Sequence, residues 1–103
     1  MAIECINSIE IRLFEAPDSD FSISAQACLE GLRGAHGCID YTLTRSSKAD
    51  GVWWLTGYWG SQGEMTASFE SAAMMRLINC LIEAGASLNF GSFVCLPGSA
   101  HGD

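Results

Sequence analysis

Asn7 is the first candidate for a functional residue, because it is a polar side chain at a position where an apolar one is expected. It lies in a stretch where polar and apolar residues alternate, on the apolar side between Cys5 and Ile9. A buried carboxamide without hydrogen-bond partners is costly, so this side chain must bond to something. Two interpretations stay open: a structural hydrogen bond to a neighbouring group, or a polar anchor that fixes a small aromatic or quinonoid ligand in an apolar pocket.

Three aromatic residues are predicted to share a face with Asn7, because Tyr41, Trp53 and Trp59 have the same phase in their strands. Aromatic stripes on strands usually fill a core, but an indole beside a carboxamide also suits the wall of a ligand site. Ser68 follows nine residues after Trp59, where a helix could return it beside the strand. Asn7, Trp59 and Ser68 are therefore the candidate catalytic residues, and Tyr41 and Trp53 the candidate substrate-binding residues.

The histidines and glycines do not match the common catalytic motifs. His36 lies in a predicted turn and His101 near the C-terminus, so neither is expected to complete a Ser-His-Asp or Cys-His arrangement in the core. Gly57, Gly60 and Gly63 do not have the spacing of a phosphate-binding loop.

The five cysteines show no CxxC or other metal-ligand spacing, so we predict no metal site. They occur mostly within apolar periods. We interpret them as small buried hydrophobic residues in a reducing cytosol, which predicts a cytoplasmic protein; a disulfide framework is the alternative.

The composition of the chain excludes several classes of binding partner. The net charge is −7, and the five basic residues form no stripe that would neutralise phosphates, so nucleic acid and anionic membranes are not expected partners. The N-terminus lacks the pattern of a signal peptide, and no apolar stretch is long enough to span a bilayer. Hydrophobic residues make up 49% of the chain and charged residues only 17%, which suggests that a partner chain covers some apolar surface.

The hydrophobic periods predict four strands and two helical regions. Strands are predicted over 3–14, 38–45, 52–59 and 86–96, and helices over 21–32 and 71–84, with further helix after Gly60 and a break near Glu70. The apolar positions of the first helix are Ile23, Ala27, Cys28 and Leu32, and those that face one way in the last strand are Leu88, Phe90, Val94 and Leu96.

This order predicts an α+β fold, a ferredoxin-like βαββαβ sandwich whose four-stranded antiparallel sheet carries the helices on one face. Residues 1–96 would form a single domain and 97–103 a C-terminal tail. The third strand places Val52, Trp54 and Tyr58 on the bare face, which is costly to leave in water. We therefore predict a homodimer packed sheet against sheet.

Several segments in this order resemble the antibiotic-biosynthesis monooxygenase family of dimeric αβ-barrel proteins. The resemblance covers most of the chain and rests on Gly37-Cys38-Ile39-Asp40-Tyr41-Thr42-Leu43, Tyr58-Trp59, Ser61 and Met65-Thr66-Ala67-Ser68-Phe69. It implies an oxidoreductase that oxidises a phenol, anthrone or quinol with molecular oxygen, without flavin or metal cofactor. Asn7 would hold the substrate oxygen, and Trp59 would form a wall beside its ring.

Two positions depart from the family pattern. Ser68 lies where members commonly carry histidine, and Gly57 lies where an acidic residue often precedes the tryptophan by two. A serine cannot bind haem iron as imidazole does, so the haem-degrading branch of the family is not expected here. Two further hypotheses remain: a non-catalytic small-ligand-binding dimer, and a structural subunit whose pocket is filled by its own side chains.

Overall fold

The computed structural model of the chain describes residues 2–14 and 19–95. Within these ranges it contains four strands and three helices in the predicted order, with the second helical region divided near Glu70. The elements are β1 (Cys5–Arg12), α1 (Ser19–Arg33), β2 (Cys38–Arg45), β3 (Val52–Trp59), α2 (Gln62–Ser68), α3 (Ala72–Glu83) and β4 (Ser87–Val94). The predicted tail at 97–103 lies outside the described residues.

The strands form one antiparallel sheet in the order β2-β3-β1-β4. This order confirms the predicted ferredoxin-like α+β fold, in which the first and third strands occupy the centre. Antiparallel register places residues of four strands in rows across the sheet. One such row contains Tyr41, Gly57, Asn7 and Ser92 in spatial order.

The helices pack on one face of the sheet and enclose the core. Serines begin the second and third helices: the Ser61 hydroxyl accepts from the Glu64 backbone N–H, and the Ser71 hydroxyl accepts from that of Met74. Alternation along the strands turns every second side chain toward these helices. The largest fully buried side chains belong to Trp59, Tyr41, Ile9, Ile11, Leu29, Leu32, Leu55, Leu77 and Leu81.

The predicted buried face of α1 was right at Leu32 and partly right at Cys28, but wrong at Ile23 and Ala27. Ile23 is 69% exposed and Ala27 is also exposed, whereas Phe21, Ala25 and Leu29 are buried with Leu32. The stripe that contacts the sheet therefore runs 21–25–29–32, and Ile23 lies on the outer side of the helix. In β4, Leu88 and Phe90 lie on the predicted side, but Phe90 is exposed because β4 is an edge strand that the helices cover only in part.

The expectation of five buried thiols was also wrong. Only Cys5 is buried; Cys28, Cys38 and Cys80 are partly exposed, and Cys95 is exposed. All five are free thiols, so the disulfide alternative is not observed among the described residues.

The second face of the sheet is open in the single chain. Ile6 pairs with Tyr58 on one side and Phe93 on the other, and all three side chains lie on this face. Phe93 is 54% exposed and Trp54 is 38% exposed. Among the described residues, no helix is both long and apolar enough to cross a membrane.

Candidate functional site

A buried hydrogen-bonded trio of Asn7, Tyr41 and Trp59 connects three strands on the helix-facing side of the sheet. The Trp59 Nε1–H donates to Asn7 Oδ1 at 2.7 Å, and Asn7 Nδ2 donates to the Tyr41 hydroxyl at 2.9 Å. The Tyr41 hydroxyl also lies 3.2 Å from Asn7 Oδ1. The Tyr41 and Trp59 rings meet edge to face, with centroids 6.2 Å apart. All three side chains are almost fully buried.

Trp59 fixes the orientation of the Asn7 carboxamide. An indole nitrogen can only donate, so the oxygen of Asn7 must face Trp59 and its amide nitrogen must face Tyr41. The amide nitrogen carries two hydrogens, and only one is used by Tyr41. Among the described residues, the second has no hydrogen-bond partner. One N–H of the Asn7 carboxamide is therefore unpaired and free to donate to a ligand.

Gly57 makes this trio geometrically possible. It lies between Asn7 and Tyr41 in the same row, and both side chains lean over its α-carbon. A β-carbon at Gly57 would lie 2.4 Å from Asn7 Oδ1 and 2.7 Å from Tyr41 Cζ, closer than van der Waals contact permits. Any other residue there would push the two side chains apart.

Tyr41 is held as a neutral phenol. Burial raises the pKa of Tyr41 to about 12, although its hydrogen bond with Asn7 acts in the opposite direction. Its backbone is fixed as well, because Arg33 at the end of α1 donates to the Tyr41 carbonyl from Nε at 3.1 Å and from Nη2 at 3.0 Å. Tyr41 can thus donate or accept a hydrogen bond at neutral pH, but it cannot serve as a base.

A cavity of about 190 Å³ opens beside Asn7, between the β1–β4 edge of the sheet and the α2–α3 corner. Its polar end is formed by Asn7 and Ser92, which are partners across the two strands. The rest of its wall is mainly apolar and includes Ile9, Phe69, Met74, Ile78 and Phe90. Among these lining residues, no side chain titrates.

Of the five predicted site residues, one lines the cavity, two lie behind it and two lie elsewhere. Asn7 lines the cavity, whereas Trp59 and Tyr41 lie behind it and act on the Asn7 carboxamide. Ser68 is buried and donates its hydroxyl hydrogen to the Met65 carbonyl at 2.6 Å. Trp53 packs edge to face on Phe21 and beneath the Arg45 guanidinium. Ser68 and Trp53 therefore lie outside the cavity wall.

The sequence did not reveal the other side of the cavity. Ser92, Phe90 and Phe69 were not candidate site residues, although Ser92 is the direct partner of Asn7 on β4. Pairing the predicted β1 and β4 in antiparallel register was the available signal. His36 is exposed, with Nε2 3.1 Å from Glu64 Oε2, and does not contact the cavity. His101 lies outside the described residues.

Comparison with known proteins decides the family. The family model described as antibiotic biosynthesis monooxygenase matches residues 6–79, well over half of the chain. The chain belongs to this family. No curated protein matches the sequence. The match spans the strand that carries Asn7 and the strand that carries Trp59, so the trio lies within the region that defines this antibiotic biosynthesis monooxygenase domain.

Solved structures of low sequence identity share the fold. SnoaB, a cofactor-independent oxygenase from Streptomyces nogalater, has a TM-score of 0.79 at 14% identity and covers 97% of this chain and 100% of its own. A conserved protein of unknown function from Bacteroides thetaiotaomicron has a TM-score of 0.75 at 19% identity and covers 91% and 100%. Such identities establish the shared fold and nothing finer.

The structure shows what the two residues that depart from the family pattern, Gly57 and Ser68, do in this chain. An acidic residue at position 57 would collide with Asn7 and Tyr41, so this monooxygenase-family chain can form the trio only with glycine there. Ser68 uses its hydroxyl on its own helix, which satisfies it without contact to the cavity. Neither position offers an ionisable group to the site.

Proposed function

We propose that the protein is a cofactor-independent monooxygenase that oxidises a small phenol, anthrone or quinol with molecular oxygen. The observation that carries this proposal is the Asn7 carboxamide, which Trp59 and Tyr41 hold at the polar end of an apolar cavity with one N–H unused. A fixed donor of this kind stabilises negative charge that develops on a ligand oxygen. The family membership and the SnoaB-like fold support the same reaction class.

The size of the cavity favours small substrates. An apolar cavity of about 150 Å³ is enough to enclose benzene. A volume of about 190 Å³ therefore suits one enclosed ring, with a second ring at the mouth between the exposed aromatic side chains of Phe69 and Phe90. One- and two-ring phenols and quinols fit this space better than three-ring anthrones.

The reaction would begin with loss of the substrate's phenolic proton. The bound anion gives one electron to O₂, and the resulting superoxide combines with the substrate radical at a ring carbon that carries a hydrogen atom. Protonation gives a hydroperoxide, which loses water and leaves a carbonyl. One oxygen atom ends in the product and the other in water. The Asn7 N–H holds the phenolate oxygen throughout, and the apolar wall keeps water away from the radical pair.

Among the described residues that line the cavity, no side chain can take the phenolic proton, because none of them is ionisable, and the nearby Tyr41, with a pKa of about 12, stays neutral near pH 7. The proton must therefore go to solvent. This feature also keeps the second candidate function open, a binding dimer that holds an aromatic ligand without oxidising it. A ligand recovered unchanged after aerobic incubation would support that alternative.

Oxygen uptake tests the proposal directly. We expect the wild type to consume O₂ with a hydroquinone or naphthol, at a rate that rises with pH through the substrate's own phenolic pKa. Asn7→Asp keeps an oxygen toward Trp59 but removes the donor and repels the anion. We expect it to lose at least about tenfold in rate, since a hydrogen bond to a charged group contributes about 1.5–3 kcal/mol.

Asn79→Asp is the matched control, because Asn79 is exposed on α3 and does not line the cavity. It should retain the wild-type rate. Trp59→Phe releases the Asn7 oxygen and should give a partial loss. Equal rates in wild type, Asn7→Asp and Trp59→Phe, or no uptake above the spontaneous rate in any of them, would overturn the proposal.

We also propose a homodimer that packs through the open sheet face, as the resemblance implies. Trp54 and Phe93 would be removed from water there, which is favourable in proportion to the apolar area covered. Sedimentation at micromolar concentration should give twice the 11.0 kDa chain mass. Trp54→Lys should give monomers, since the substitution occurs on both sides of a two-fold interface.

Ile82→Lys is the control for this experiment, because Ile82 is exposed on α3, on the opposite face of the domain. It should remain dimeric. A monomeric wild type, or a Trp54→Lys protein that sediments as the dimer, would contradict a sheet-to-sheet interface.

A further inference from the structure

Ser92 is the second polar side chain at the Asn7 end of the cavity. It lies on β4 directly opposite Asn7, on the helix-facing side, and contributes to the cavity wall. Its hydroxyl has no hydrogen-bond partner within residues 2–14 and 19–95, and the residue is exposed. An unpaired hydroxyl at the mouth of a cavity is available to a ligand.

The remaining lining residues do not compete for this role. Ser8 also borders the cavity, but alternation turns its side chain to the other face, where its Oγ lies 3.2 Å from a β-carbon built at Gly91. Asn7 and Ser92 are therefore the polar side chains that the described part of the chain presents to the cavity from the helix-facing side.

We propose that Ser92 is a specificity-determining residue, which makes the site select aromatic rings that carry oxygens on two adjacent carbons. This inference rests on the proposed binding of a phenolic ligand at Asn7. Directly paired residues on antiparallel strands have β-carbons about 4.5–5.5 Å apart, so their polar groups can reach neighbouring oxygens of one ring edge.

The two groups also complement the charge state of such a ligand. The Asn7 amide nitrogen can only donate, so it suits an ionised oxygen, whereas the Ser92 hydroxyl can accept the hydrogen of a neighbouring un-ionised hydroxyl. Together they match the monoanion of an ortho-dihydroxy ring, the ionisation state that gives an electron to O₂. Phe69 and Phe90 would contact the body of the ring from the mouth.

Anaerobic calorimetry with 2,3-dihydroxynaphthalene and 2-naphthol tests this inference without turnover. We expect the wild type to bind the diol about 2- to 12-fold more tightly, which corresponds to one additional neutral hydrogen bond. Ser92→Ala should bind both ligands equally, with its affinity for 2-naphthol unchanged. Ser92→Thr keeps a hydroxyl and should keep the preference.

Ser24→Ala is the matched control, because Ser24 is exposed on α1 and away from the cavity. It should bind both ligands as the wild type does. If the wild type binds both ligands equally, or if Ser92→Ala keeps the preference, the role of Ser92 is overturned. Weaker binding of both ligands by Asn7→Asp would then still uphold the Asn7 site. No binding of either ligand to the wild type would overturn both proposals.

Discussion

Replacing Asn7 with leucine should lower the free energy of unfolding by about 2–6 kcal/mol. The change leaves the Trp59 Nε1–H and the Tyr41 hydroxyl buried without their partner, and each unsatisfied buried group costs about 1–3 kcal/mol. Folded domains are stable by only about 5–15 kcal/mol, so the loss is a large share of the total. Urea unfolding followed by circular dichroism measures it.

A second substitution shows whether the loss comes from the hydrogen bonds. In the wild type, Tyr41→Phe removes a partner of the Asn7 amide and should destabilise the protein. In the Asn7→Leu background, the same change removes an unsatisfied hydroxyl and should restore part of the lost stability, because two apolar groups can replace a hydrogen-bonded pair at little cost. The remaining loss belongs to the Trp59 Nε1–H, which stays without a partner. Asn79→Leu, at an exposed position, should change stability by no more than about 0.5 kcal/mol. Destabilisation by Tyr41→Phe in both backgrounds would contradict the trio.

Gly57→Ala should destabilise the protein by about 1–3 kcal/mol, the typical cost of overpacking a core. The added methyl group would lie 2.4 Å from Asn7 Oδ1 and 2.8 Å from Tyr41 Cε2. Both side chains are buried and hydrogen-bonded, so neither can move aside freely. We also expect the variant to lose oxygen uptake, because the Asn7 amide would be displaced. Thermal unfolding and the uptake assay measure the two effects.

Gly63→Ala is the matched control, with the opposite expected sign. A β-carbon there meets nothing within 4 Å, and Gly63 lies inside α2, where alanine is favoured over glycine by about 1 kcal/mol. The variant should be as stable as the wild type or more so, with normal uptake. A Gly57→Ala protein of unchanged stability and activity would mean that Asn7 and Tyr41 do not need the space above Gly57.

The alternating pattern of the sequence was sufficient to predict the sheet. Each strand shows a two-residue period, and the phase of that period placed Asn7, Tyr41 and Trp59 on the buried face. The buried carboxamide was recognised for the same reason, since a polar residue within an apolar phase requires partners. Local periodicity carries this information because it depends on neighbouring residues of one strand.

The contacts within the site depend on register, which periodicity does not contain. That Gly57 lies between Tyr41 and Asn7, and that Ser92 lies opposite Asn7, follows from how separate strands pair. The phase of α1 was missed because Phe21 and Ile23 are both apolar, and the packing of the helix on the sheet decides which of them is buried. The site contacts that were not predicted and the wrong phase of α1 both depend on contacts between segments that are distant in the sequence.

The side-chain amide resonances of Asn7 report whether its unused N–H binds the oxygen of a phenolic ligand. The chain contains three asparagines and two glutamines, so its nitrogen–proton spectrum has few such pairs. We predict that anaerobic titration with 2-naphthol shifts the Asn7 Nδ2 protons and leaves those of Asn79 unchanged, because the unused Asn7 donor binds the ligand oxygen. If the two Asn7 Nδ2 proton resonances do not shift at saturating 2-naphthol, Asn7 does not bind the ligand oxygen and the proposed site is wrong.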